Sequence, residues 1–278
     1  MSDTLNAHPF PIRTTASILG RNHALIGMVH LLPLPGSPRA QASAKEIAAH
    51  AVKEARLLEQ SGFDAVLIEN MHDAPYMLRG VDPETIAAFT RAACEVRNAI
   101  KIPLGVQLLS HANRAALGIA LAAEAAFIRA EGFVFAAVAD EGLLTRADAG
   151  DLLRARRAMG AEHIAIFADI KKKHSSHAIT ADTSLDEHAK TAEFFGANGV
   201  IVTGTATGVA TPLADLASAK AATPLVVLAG SGVTSESVRA TLATCDGVIV
   251  GSDLKVDGRW YNALDLHRVE RLVRAARS

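Results

Sequence analysis

Eight short apolar runs, each followed by a stretch of helical periodicity, divide this chain from near its start to its end. The runs are Ala24–His30, Ala65–Asn70, Pro103–Leu108, Ala126–Glu131, His163–Ile170, Gly199–Thr203, Pro224–Leu228 and Gly247–Gly251. β-Rich runs alternating with helices specify parallel strands joined by crossovers. Eight such units close on themselves, so the expected fold is α/β, a TIM (β/α)8 barrel. A barrel takes roughly 250 residues, and the chain has 278, half of them hydrophobic. A single barrel domain over residues 21–278 is expected, preceded by an N-terminal extension over residues 1–20.

Helix signals support this division. Ser43 and Glu46 form a capping box before Ile47, Ala51, Ala55 and Leu58, and Gly62 closes that helix. Asp82-Pro83-Glu84 opens the next, and Ser184 with Glu187 makes a second box. Later helices are expected after Pro212, Ser235 and Asn262. Three connections are long: Leu31–Ala42, Gly132–Thr145 and Ile170–Thr183. All follow strands, so they belong on the face where barrel enzymes keep their active sites, and they read as lids.

Strand periodicity selects the residues of that face. If odd-numbered residues of the second to sixth strands point to the axis, Leu67, Gln107, Phe127, Phe167 and Ile201 fill the interior. The same phase carries Glu69, Arg129, Glu131, Asp169, Lys171 and Thr203 to the mouth. Two glycine turns, Ala229-Gly230-Ser231-Gly232-Val233 and Val250-Gly251-Ser252-Asp253, end the last two strands. Loops at these positions of barrels commonly hold a phosphate on backbone N–H groups. Gly230, Ser231, Gly232, Gly251 and Ser252 are therefore the expected phosphate-binding residues. The plainer reading is that the glycines only turn the chain. Lys255, just past the second turn, is either a cation for that anion or a solvated side chain.

Glu69, Asp169, Lys171, His174 and His30 are the catalytic candidates. A carboxylate in a barrel mouth serves as a proton carrier or as an arginine's partner. Arg129 is positioned to be that partner for Glu69. Asp169 precedes Lys171-Lys172-Lys173-His174, and an acid beside a lysine shifts both toward acid–base or Schiff-base duty. Asn70, Gln107, Arg129, Glu131, Asp140, Lys173, Thr203 and Gly204 complete the rim as substrate-binding candidates. No cofactor is expected; a divalent metal on Glu69, Asp169 and His30 is an alternative without a recognisable ligand spacing.

Net charge is −1 with acids and bases interspersed, which argues against a nucleic-acid surface. No run of about 18 apolar residues occurs, so no transmembrane segment is expected. The start lacks the order of a signal peptide. Cys94 and Cys245 make no metal or redox spacing. A cytoplasmic homo-oligomer that takes a phosphorylated small molecule is the expectation.

Several motifs together resemble the BtpA/SgcQ family. They are Met28-Val29-His30-Leu31 with Pro33-Leu34-Pro35-Gly36, Glu69-Asn70, Ile166-Phe167-Ala168-Asp169 before Lys173-His174, Val202-Thr203-Gly204, Gly230-Ser231-Gly232-Val233 and Gly251-Ser252-Asp253-Leu254-Lys255. The resemblance covers roughly residues 24 to 275. It implies a barrel of the ribulose-phosphate-binding type. Cyanobacterial relatives are named for photosystem I biogenesis, and other bacterial relatives sit among sugar-utilisation genes. Met71, Lys171, Gln107 and Gly132-Phe133-Val134-Phe135 depart from the family pattern, all at the mouth. Two functions follow: an enzyme of isomerase, lyase or glycosidase type on a sugar phosphate or nucleotide-like ester, or a non-catalytic assembly factor for a membrane complex.

Overall fold

The computed structural model describes residues 10–204 and 208–278. Eight parallel strands form a closed barrel: β1 (Ala24–His30), β2 (Ala65–Glu69), β3 (Leu104–Gln107), β4 (Phe127–Ala130), β5 (Ala165–Ile170), β6 (Gly199–Val202), β7 (Val226–Ala229) and β8 (Gly247–Val250). Each strand pairs with its sequence neighbours, and β8 closes on β1 with Ala24 opposite Gly247 and Gly27 opposite Val250.

Nine α-helices are present among the described residues: α1 (Thr15–Leu19), α2 (Ala44–Gln60), α3 (Pro83–Ala99), α4 (Asn113–Ala122), α5 (Ala149–Ala158), α6 (Leu185–Phe194), α7 (Leu213–Ala222), α8 (Val238–Leu242) and α9 (Leu266–Arg277). Both capping boxes form: Ser43 Oγ accepts from the Glu46 amide while Glu46 accepts from the Ser43 amide, and Ser184 and Glu187 repeat the exchange. Two helices start later than their sequence signals. α8 begins at Val238, because Ser237 Oγ accepts from the Thr234 amide and holds a turn there. α9 begins at Leu266, where Asp265 caps the amides of His267 and Arg268. Cys94 lies in α3 and buried Cys245 between α8 and β8; both are free thiols.

The apolar side chains separate into two packed layers. One fills the barrel axis: Ala24, Ile26, Met28, Leu67, Phe127, Phe167, Ile201, Leu228 and Ile249. The other lies between strands and helices, where Val66, Ile68, Val106, Ile128, Ile166 and Val200 meet the apolar faces of α2 to α6. The odd phase of β2 to β6 therefore faces inward, as the alternation required. Phe127 and Phe167, from the neighbouring strands β4 and β5, meet inside the barrel with centroids 5.2 Å apart and ring planes tilted by 49°. Gly105 makes room for this pair, since a Cβ there would sit 2.2 Å from the Phe127 ring.

The two ends of the axis differ. At the bottom, α1 inserts Ile18 and Leu19 into the inner apolar layer and closes it. At the top, the axis is lined by polar side chains and is open.

The long connections are pinned rather than loose. In the first, Leu34 donates its amide to Asp73 and Pro35 accepts from Thr85, which ties the segment to the residues after β2. The other two meet in a small antiparallel sheet, with Ala137–Ala139 between Gly142–Leu144 and Ser175–Ser176, forming a lip on one side of the mouth.

Candidate active site

A cavity of about 520 Å³ opens at the C-terminal ends of the strands. Its walls include His30, Glu69, Gln107, Arg129, Glu131, Asp140, Lys173 and His174 from the expected set, and all five expected phosphate-binding residues, Gly230, Ser231, Gly232, Gly251 and Ser252. One fold axis thus gathers residues separated by more than two hundred positions in sequence.

Glu69 ends β2 on the floor. Burial pushes its carboxyl up to about 7, while Arg129 and Lys173 restrain the shift and Glu131 and Asp169 add to it. His30 stands beside it, with Nε2 4.0 Å from Glu69 Oε2. Its Nδ1 lies 2.9 Å from the Trp260 carbonyl. A carbonyl only accepts, so Nδ1 carries the proton and Nε2 turns a lone pair toward the cavity. Burial, with Lys255 adding, lowers the imidazole to about 3, so it is neutral near pH 7. A carboxyl poised near neutrality can carry a proton, and the neutral imidazole beside it offers a hydrogen-bond acceptor.

Arg129 makes a two-pronged contact to Asp169, Nε to Oδ2 at 2.9 Å and Nη2 to Oδ1 at 3.0 Å. Burial opposes its charge, but Asp169, Glu69 and Glu131 keep the guanidinium protonated. This placement corrects the expectation for Asp169 as a proton carrier. Both its oxygens are engaged, its side chain is fully buried, and it stands behind Arg129 rather than in the cavity wall. Glu131 in turn pairs with Lys172 at 3.0 Å and accepts from the His111 amide at 3.1 Å. Burial would raise Glu131, yet Lys172, His111 and Arg129 hold it down at about 2. Gln107 keeps its buried Oε1 without a partner among the described residues, facing the cavity.

Lys171 is the second correction. The alternation assigned it inward phase, but its φ of +43° breaks the strand geometry, and its ammonium donates to the Thr183 carbonyl outside the cavity. Lys172 and Lys173 turn inward in its place. Asn70 is also absorbed by structure: its amide donates to Asp73 and to the Leu109 carbonyl and accepts from the Leu109 amide. Thr203 and Gly204 lie outside the wall. Thr203 Oγ1 accepts from the Lys173 amide, and a Cβ at Gly204 would meet the Val209 carbonyl. His174 and Asp140 form the outer rim, 3.4 Å apart and exposed.

The two glycine turns face the same end of the cavity. Among the described residues, the amides of Gly232, Val233, Gly251 and Ser252 donate to no protein acceptor, so four donors are available there. Gly230 differs, for its amide donates to the Val202 carbonyl and shapes the turn. The Ser231 hydroxyl likewise donates to the Val209 carbonyl. Gly232 has a φ of +64° and packs against the backbone of Val209 and Ala210. Asp253 would repel an anion here, but Arg268 and the Ser235 amide occupy its two oxygens. Lys255 supplies no cation: it is buried in an ion pair with Glu54 at 2.8 Å.

The described residues contain no group of three His, Cys, Asp or Glu side chains placed to hold a metal ion. Glu69, Asp169 and His30 do not converge, because Arg129 holds Asp169 away. No helix among the described residues is long and apolar enough to cross a membrane. Sequence reasoning missed Trp260, Arg268, Tyr76 and Lys172. Trp260 follows β8 in an irregular segment that no periodicity addresses, and Arg268 stands in the first turn of α9, which begins later than its sequence signal. For Lys172, only the left-handed turn at Lys171 tells.

The BtpA family matches residues 21–278. An uncharacterized mitochondrial protein of Caenorhabditis elegans is 41% identical over 265 residues, 93% of this chain and 95% of that protein. The photosystem I biogenesis protein BtpA of Synechocystis is 34% identical over 255 residues, 91% of this chain and 88% of that protein. Among solved structures, (S)-3-O-geranylgeranylglyceryl phosphate synthase from Thermoplasma acidophilum, in complex with sn-glycerol-1-phosphate, superimposes with a TM-score of 0.61. It is 13% identical and the match covers 95% of this chain and 99% of that one, which is a likeness of fold.

Proposed function

The chain belongs to the BtpA family, and on that premise we propose that it is an enzyme acting on a small phosphate ester. The phosphate sits against the amides of Gly232, Val233, Gly251 and Ser252, where backbone dipoles from two loops meet one anion. The rest of the ligand reaches toward β2. There Glu69 gives and takes a proton, the neutral His30 Nε2 accepts a hydrogen bond from the ligand, and Arg129, locked by Asp169, faces negative charge as it develops. Gln107 Oε1 accepts a hydroxyl of the ligand. The chemistry is acid–base work of the isomerase or lyase kind.

The observation that carries this reading is the pairing of four uncommitted amides at one end of the cavity with a buried, near-neutral carboxyl at the other. A platform for protein partners has no use for either. The assembly-factor reading draws on the name of the Synechocystis relative. It requires that Glu69→Gln leave the biological role untouched.

Thermal denaturation of the full chain with a panel of phosphate esters tests the proposal. A ligand present at 100 times its Kd stabilises by about 2.7 kcal/mol. At least one ester should raise Tm, while its dephosphorylated parent should not. A flat panel removes the proposal.

A further inference from the structure

The cations around this mouth are nearly all committed. Arg129 is held by Asp169, Lys172 by Glu131, Arg268 by Asp253 and Lys255 by Glu54, and Lys171 is turned away onto the Thr183 carbonyl. Lys173 is the exception. It lines the cavity, and among the described residues its ammonium makes no hydrogen bond or ion pair, although its backbone amide is fixed to Thr203 Oγ1 at 2.9 Å. Left-handed residues on either side, Lys171 at φ +43° and His174 at φ +58°, set the local path that brings the side chain inward. This geometry is costly for a lysine whose only duty is to be charged, because a half-buried ammonium without a counter-ion loses hydration for no return.

Resting on the phosphate-ester reading of the same cavity, we propose that Lys173 forms a Schiff base with the ligand, whose class is then a phosphorylated aldehyde or ketone. Burial and the neighbouring Arg129 hold Lys173 below the usual lysine range, against the pull of Glu69, Asp169 and Glu131. The free amine this favours is the nucleophile such a step needs. Its Nζ lone pair attacks the carbonyl carbon; the C–N bond forms as the C=O π bond opens, and Glu69 delivers a proton to the oxygen. An Nζ proton passes to the carboxylate this leaves on Glu69, which then protonates the new hydroxyl; water departs as the nitrogen lone pair closes C=N, and the last Nζ proton returns to Glu69, so the acid ends as it began. Amine and carbonyl give imine and water, with no oxidant or reductant consumed. The rival role for Lys173 is a simple counter-ion for phosphate.

Borohydride trapping separates the two. The full chain is incubated with ribulose 5-phosphate and, separately, with dihydroxyacetone phosphate, then reduced and read by intact mass and peptide mapping. In parallel, thermal shifts are recorded with sn-glycerol 1-phosphate, which has no carbonyl. The expected result is one adduct per chain on Lys173, suppressed by excess inorganic phosphate and absent from Lys173→Arg. No adduct with either ketone, or labelling scattered over other lysines, overturns the assignment. If any carbonyl-free ester of the panel, sn-glycerol 1-phosphate among them, still raises Tm in that case, only the Schiff base falls; if none does, the phosphate reading falls with it.

Discussion

At the scale of single residues, the site is governed by how burial and neighbouring charge divide the work among similar groups. Glu69, Glu131 and Asp169 are all buried carboxylates within one mouth. Burial raises Asp169 against the pull of Arg129, Lys172 with His111 and Arg129 holds Glu131 down at about 2, and Glu69, with no arginine or lysine in hydrogen-bonding contact among the described residues, is pushed up to about 7. Its raised value fixes a sign. Folded Glu69 keeps its proton above the pH at which the unfolded chain releases it, so its contribution to stability is full at low pH and is lost as pH rises toward 7. The shift from 4.5 to about 7 corresponds to about 3 kcal/mol. Glu69→Gln, which cannot ionise, should match the wild type near pH 4 and exceed it by up to that amount at pH 8. Urea unfolding at the two pH values reads the difference; an equal difference at both would place Glu69 in a solvated setting. Asp169→Ala should cost about 3–5 kcal/mol, because it strands the buried Arg129. A loss of activity without that loss of stability would return Asp169 to the proton-carrying role.

At the scale of elements, periodicity explains what was readable in the sequence. Leu67, Phe127, Phe167 and Ile201 face the axis because a strand repeats every two residues, and Ser43–Glu46 caps α2 because side chain and amide exchange bonds locally. Such rules act over a few residues and can be read from a few residues. They stop at the strand ends. Lys171 leaves its phase through one left-handed φ, and the cavity wall from Trp260 to Arg268 depends on how the segment after β8 folds over the mouth. The glycine turns lie between these cases: their place was legible, but which of their amides remain free was not. A contrast between two glycines tests their roles. Gly232→Ala places a Cβ 2.2 Å from the Val209 carbonyl carbon at a φ of +64°, so it should destabilise by about 1–3 kcal/mol and abolish ester binding. Gly251→Ala meets Met28 at an ordinary 3.4 Å, with His30 Nε2 at 3.6 Å, at a negative φ. It should fold with wild-type Tm yet lose the ester-induced shift. Retained shifts in Gly251→Ala would move the phosphate elsewhere.

At the scale of the whole molecule, the barrel separates stability from chemistry along its axis. Below, α1 closes the inner apolar layer; above, polar groups accumulate where helices and loops can only partly solvate them. Leu19→Ala should therefore cost about 2–5 kcal/mol in urea unfolding while leaving ester-induced shifts intact. The asymmetry places four amide donors, a near-neutral carboxyl and a lysine without an ion pair among the described residues around one space. The most direct test is a crystal structure of the full chain grown with inorganic phosphate. The account predicts a tetrahedral anion hydrogen-bonded to the amides of Gly232, Val233, Gly251 and Ser252. An anion bound elsewhere in the cavity with those amides facing water would contradict it.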